Sequence, residues 1–183
     1  MESLIPAGRR VALAYSGGLS STLLALIARK RYELECFVAG TAASPDVLAA
    51  KAASGHFEYR LEVVDVNAEK SRRIARDLRT SHASLSTEDI HALVPLQAVL
   101  EKTGDRVLLT GVGFRRPAGR LANVLQSWSA KSPFLDLPSG RSPSRAILRR
   151  AVTTLGLPAQ WAAIVHRAPA AGAGIERFLR TNR

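Results

Sequence analysis

The sequence predicts a doubly wound α/β domain built on a mainly parallel sheet. Three observations carry this. Four short apolar runs are bounded by turn residues, helical stretches separate them, and glycine-rich turns follow the first and fourth runs. Strands covered on both faces read as near-continuous apolar segments, and their alternation with helices implies parallel pairing through crossovers. In such sheets ligands collect at the carboxyl ends of the strands, where both glycine turns fall.

The predicted strands are "RRVALAYS" (Arg9 to Ser16), "LECFVAGT" (Leu34 to Thr41), "YRLEVVDV" (Tyr59 to Val66) and "RVLLTGVG" (Arg106 to Gly113). "SSTLLALIARK" supplies the helix after the first strand. "SPDVLAAKAAS" (Ser44 to Ser54) supplies the next, with Ser44 as N-cap, Pro45 at the first helical position and Asp46 favouring the positive helix end. "AEKSRRIARDLRT" and "STEDIHALVPLQAVLEKTG" precede the fourth strand, and Pro95 is expected to kink or divide the latter. Beyond Gly113 the periodicity weakens. Loops and short helices are expected there, including "SRAILRRAVTTLG", "PAQWAAIVHRA" and a closing turn, "PAAGAGIERFLR".

At 183 residues the chain suits a single domain, 1–183, with an α/β core over 1–113 and a C-terminal subregion over 114–183. Its apolar stretches are interrupted by charge, so no membrane contact is expected. A start without a signal-peptide core and a single cysteine, Cys36, fit a reducing cytoplasm. The net charge of +11 is unevenly spread: residues 1–113 hold 14 basic and 13 acidic side chains, residues 114–183 hold 12 and 2. A basic sector joined to a neutral one is an electrostatic footprint for a polyanion, although surface arginine enrichment alone produces the same count.

"SGGLSS" (Ser16 to Ser21) joins the first strand to its helix. Gly17 and Gly18 let backbone approach an anion, free N–H groups at the helix start point toward it, and the hydroxyls of Ser16, Ser20 and Ser21 add neutral donors. No "GK[ST]" follows, so this is not the Walker type. An ordinary turn rich in small residues is the alternative.

The stretch resembles the SGGxDS pyrophosphatase loop of the N-type ATP pyrophosphatases, and above all the synthetase domain of asparagine synthetases, including short archaeal forms. "VAGTAASPDVLAAKAA" is similar to that family's second strand and nucleotide-contacting turn. "VLLTGVGFRRPAG" stands where the family has LxGxGADELFGG. "RAILRRAVTTLGLPAQWA" and "IVHRAPAAGAGIERFLR" are similar to its LRxAAxxLGLP and KxAxQxGSG segments. The resemblance implies an adenine nucleotide alpha hydrolase-like fold and ancestry in substrate adenylation with release of pyrophosphate. It implies an ATP or AMP site at Ser16, Gly17, Gly18, Ser20, Ser21, Gly40, Thr41, Gly111 and Gly113. Arg167 corresponds to the family's lysine for the reacting phosphate. With no glutaminase segment preceding it, glutamine-driven amide transfer by this chain alone is not expected.

The family's magnesium ligands resemble two acids that this sequence lacks. Ser20 replaces the first; Arg115 and Arg116 replace the second and its glutamate neighbour. A hard dication wants carboxylate oxygens and is repelled by arginine, so magnesium binding is doubtful and no metal site is expected. The first reading is therefore a nucleotide- or phosphate-binding descendant, a pseudoenzyme with impaired or altered pyrophosphatase chemistry. The second is an RNA-binding protein, associated with the ribosome or tRNA, whose contacts are Arg115, Arg116, Arg120, Lys131, Arg141, Arg145, Arg149 and Arg150. The third is an active adenylating ligase with rebuilt ligands, or with a partner protein that supplies the missing acids.

Smaller signals are read as structural. His56, His82, His91 and His166 have no zinc spacing, and Cys36 belongs to an apolar strand. Trp128 and Trp161, with Phe134, suit core packing, with base stacking as the alternative. Asp65, at a strand end, is the surviving carboxylate expected nearest the cleft.

Overall fold

The fold is seen in a computed structural model, which describes residues 5–6, 8–112, 119–128, 130–133, 144–158, 161 and 167–180. Five strands form one parallel sheet in the order β3-β2-β1-β4-β5: β1 Arg10–Ala14, β2 Glu33–Gly40, β3 Leu61–Asp65, β4 Leu108–Leu109 and β5 Ala130–Lys131. The helices are α1 Leu19–Ala28, α2 Pro45–Phe57, α3 Ala68–Ser81, α4 Thr87–Thr103, α5 Gly119–Ser127, α6 Arg145–Thr154, α7 Pro169–Gly172 and α8 Glu176–Leu179. The doubly wound α/β fold expected from the sequence is the fold observed. The order reverses between β1 and β4, which makes their carboxyl ends the crevice of the sheet.

Successive strand residues feed opposite layers, as a period of two requires. On one side Ala12, Phe37, Ala39, Val64 and Leu108 pack with α3 and α4 residues such as Ile74, Leu78, Leu93 and Val94. On the other, Val11, Leu13, Cys36, Val38 and Leu109 pack with Leu24, Ala25, Val47 and Ala50 of α1 and α2. Burial pushes the Cys36 thiol up to about 12, so it behaves as a core hydrophobe. α1 is apolar almost all round because it has two neighbours: its second face, Leu19, Leu23 and Leu26, meets Leu148 and Val152 of α6.

Helix starts follow the capping residues. Ser44 Oγ accepts from Val47 N at 3.4 Å, Asn67 Oδ1 from Lys70 N at 2.9 Å, Ser86 Oγ from Asp89 N at 3.1 Å, and Ser144 Oγ from Ile147 N at 3.3 Å.

The structure narrows one expectation and corrects two. Of the kink or division expected at Pro95, the division does not occur: α4 runs unbroken through it. Proline removes the intrahelical bond from position 95 to the His91 carbonyl on a side where both residues line the cavity, while buried Leu93, Val94 and Leu96 clamp the helix to the core. The fourth strand is only two residues long, and a fifth, β5, lies where loops and short helices were expected. Two-residue strands are too short to show alternation; Thr110 N donating to Lys131 O at 3.0 Å extends that pairing. The expected helix "PAQWAAIVHRA" falls largely outside the described residues, while "PAAGAGIERFLR" contains two short helices, α7 and α8. Among the described residues no helix is long and apolar enough to cross a membrane.

Candidate functional site

The chain leaves β1 through Tyr15, 1% exposed, whose N–H donates to Phe37 O at 2.7 Å and whose hydroxyl lies 3.2 Å from Thr22 Oγ1. These contacts, and the edge-on Tyr59 ring 5.7 Å away, fix the turn that follows. Gly17 takes φ +69°, and a Cβ there would stand 2.8 Å from the Ala49 carbonyl carbon and 2.9 Å from Ala50 N. Only glycine meets both the left-handed backbone and the close approach of α2.

Gly18 caps α1 with extended backbone and no side-chain hydrogen bond. Among helices of eight or more residues whose caps are described, α1 alone starts this way, and its first turn contains no acid. The free N–H groups of a helix start carry the positive end of the helix dipole. Around them, Ser16 Oγ lies 3.4 Å from both Ser21 Oγ and Gly18 N, and Ser21 Oγ donates to Gly18 O at 2.9 Å.

This turn opens on a cavity of about 580 Å³ at the carboxyl ends of β1, β2 and β4, within the size range of small-molecule sites. Ser16, Ser20, Ser21 and Gly111 line one end. Phe37, Val38, Leu93, Leu96 and Val99 form an apolar wall, and Ala168 to Ala171 close the far side. Asp46, Glu88, His91 and Glu176 add the ionisable groups.

Burial raises the Asp46 carboxyl to about 7, against the opposing field of Arg167. Gly172 makes that placement feasible, because a Cβ on it would fall 2.4 to 2.6 Å from the Asp46 carboxylate atoms. Burial also lowers the His91 pKa, helped by Arg79 and opposed by Glu176.

Of the residues expected to bind nucleotide, the structure gathers Ser16, Ser20, Ser21 and Gly111 at the cavity, with Gly17 and Gly18 shaping the turn beneath. Gly40 and Thr41 lie one step away, under the C-terminal segment. Thr41 N donates to Ala173 O at 3.0 Å, and a Cβ on Gly40 would stand 2.7 Å from that same oxygen. Arg167 is exposed beside the cavity wall. Lys131 is half-buried in β5; Arg145 is half-buried and Arg149 and Arg150 exposed on α6; none of the four lines the cavity. Arg120 belongs to the first turn of α5, while Gly113, Arg115, Arg116 and Arg141 lie outside the described residues.

Asp65 is exposed at the end of edge strand β3 and away from the cavity lining; the carboxylates that reach it are Asp46, Glu88 and Glu176. Trp128 packs against the α3–α4 core, and Trp161 beside Phe57 and His56. His91 and the Ala168–Ala171 wall were not expected at the site. Their signal is positional: His91 sits four residues before Pro95, and Ala170 and Ala171 sit in the closing turn, with Ala168 just before it.

Magnesium wants hard oxygen ligands, carboxylates above all. Ser20 offers a neutral hydroxyl where a carboxylate is required, and among the described residues no three His, Cys, Asp or Glu side chains converge on a point that could hold a metal. The described residues do not fit the ion.

The profile of the asparagine synthase family matches residues 3–113. No curated protein sequence matches the chain. Among solved structures, the predicted subunit of a tRNA methyltransferase from Methanocaldococcus jannaschii is similar at 14% identity. It covers 84% of this chain and 92% of its own, with a TM-score of 0.50. At that identity the likeness concerns the fold.

Proposed function

Since the chain belongs to the asparagine synthase family, we propose that it binds an adenine nucleotide, ATP or AMP, with phosphate at the uncapped start of α1. The adenine would lie against the apolar wall that Phe37, Leu93 and Leu96 provide. One observation carries this reading: α1 presents open backbone N–H groups and three serine hydroxyls to a cavity at the switch point of the sheet.

The family's adenylation chemistry is impaired or altered in this chain. Its support is the residue exchange at the acid positions, Ser20, Arg115 and Arg116, which removes negative groups while leaving the glycine turn. Neutral hydroxyls and helix-end N–H groups hold phosphate without gathering a metal, so binding is retained while pyrophosphate departure loses its partner.

Titration of fluorescent ATP and AMP analogues against the wild type and Ser16→Ala/Ser21→Ala tests the site; at least a tenfold weakening in the variant is expected. Incubation of ATP with aspartate and other carboxylates is expected to release no pyrophosphate, and release at an enzymatic rate would restore the ligase reading.

A second reading, RNA contact by the C-terminal arginines, is favoured by Arg149 and Arg150, which stand exposed on a helix packed against α1.

A further inference from the structure

The basic character of this protein extends beyond its C-terminal part. α3 contains Lys70, Arg72, Arg73, Arg76 and Arg79 against Glu69 and Asp77. Its neighbour α8 starts with Glu176 and Arg177 and is followed by Arg180. The nearby acids are largely engaged. Arg73 pairs with Asp77 at 3.2 Å and with Glu101 at 2.8 Å, and Arg180 holds Glu176 at 2.8 Å. Arg72, Arg76 and Arg79 are exposed, and none pairs with a described carboxylate within 4.0 Å. Their spacing of four and three residues puts them on one helical face, spread over about 10 Å of axis.

That face adjoins the cavity at one end. At its start, Arg72 Nε donates to Phe178 O at 3.3 Å, which ties α3 to α8, where the Arg177 guanidinium sits 4.8 Å from the Phe178 ring centre. Glu176, the first residue of α8, lines the cavity. The line of guanidinium groups therefore starts beside the cavity, on the side away from α6.

We infer that Arg72, Arg76 and Arg79, with Arg177, form a contact face for the phosphate backbone of a single-stranded polynucleotide leading toward the cavity. Guanidinium forks match phosphate oxygens, and one turn between cations suits successive phosphates of an extended strand. A membrane surface fits poorly, because the exposed large apolar residues among those described, Leu48, Val63, Ile147 and Leu155, all lie on other elements. The cavity beside α8 is of a size to admit one nucleotide.

Fluorescence anisotropy of the full chain with labelled single-stranded RNA and DNA of one mixed sequence, over a range of KCl, tests this. Arg72→Gln/Arg76→Gln/Arg79→Gln is expected to weaken binding at least tenfold. It should also lower the slope of log affinity against log salt by about 2, roughly 0.7 for each phosphate no longer neutralised. Arg9→Gln/Lys30→Gln/Arg60→Gln, which removes equal charge from the opposite end of the sheet, is expected to change affinity less than about threefold. The RNA and DNA arms decide which strand is preferred. Arg72 touches α8, so Arg76→Gln/Arg79→Gln replaces the triple variant if melting reports loss of fold. Equal weakening by the two triple variants would overturn the inference. So would a weakening confined to Arg149→Gln/Arg150→Gln, or binding to anionic phospholipid vesicles without binding to either strand. Mononucleotide titration reads the cavity separately, so failure of one reading leaves the other standing.

Discussion

Gly111 at the end of β4 abuts Ser20 in the first turn of α1: a Cβ on the glycine would stand 2.9 Å from Ser20 Oγ and 3.3 Å from its Cβ. The two strands flanking the switch point thus bring a glycine and a serine together at the floor of the cavity. Gly111→Ala must push the Ser20 hydroxyl aside. It is expected to weaken ATP binding about tenfold while costing no more than about 1 kcal/mol of stability, since a serine hydroxyl can rotate. Titration and urea unfolding of the same variant separate the two effects. Unchanged affinity would remove Gly111 from the phosphate path.

Gly17 makes the contrasting case. Its φ of +69° and the 2.8 Å approach to the Ala49 backbone involve groups that cannot rotate away. Gly17→Ala is expected to destabilise the fold by about 3 kcal/mol, combining left-handed strain with overpacking. Urea denaturation measures this, and a midpoint equal to wild type would show that the turn relaxes.

Asp46 should leave a signature in pH. Its pKa is raised to about 7 by burial, so the folded state holds the proton more tightly than the unfolded chain. Stability from this group is therefore lost as pH rises from about 4, the ordinary Asp value, through about 7. Asp46→Asn removes the loss. The stability of variant minus wild type is expected to grow across that window and level off above it, by at least about 1 kcal/mol. His91 acts in the opposite sense, because its lowered pKa costs stability as pH falls below its ordinary value. Unfolding at a series of pH values reads the difference, and a flat difference would place the Asp46 carboxylate in a wetter setting.

Much of this was legible in the chain. Val11 to Ala14 and Cys36 to Ala39 mark their strands as near-continuous apolar runs, and Ser44 announces a helix start through its side-chain oxygen. Leu108–Leu109 and Ala130–Lys131 were harder, because two residues show no period and their pairing depends on neighbours far along the chain. Asp46 reads in sequence as an acid placed for the helix dipole. Its role at the cavity arises only when Gly172, 126 positions later, packs against it. A similar distance hid the covering of Gly40 and Thr41 by Ala173.

Restoring the acid at position 20 should penalise binding. Ser20→Asp places negative charge beside the phosphates in a partly enclosed site, where an uncompensated pair a few ångströms apart costs about 1–3 kcal/mol. The variant is expected to bind ATP at least tenfold more weakly than wild type in EDTA, and to recover partly when magnesium is added. Equal binding with and without the ion in both proteins would detach Ser20 from the phosphate site.

The most direct measurement is calorimetric titration of ATP, AMP and adenosine into the full chain, once in EDTA and once in magnesium. The account predicts that ATP and AMP bind in EDTA with affinity within about threefold of that in magnesium, and that adenosine binds at least tenfold more weakly because the serine turn gains no phosphate. Binding of ATP only when magnesium is present, or no heat from any of the three, would contradict it.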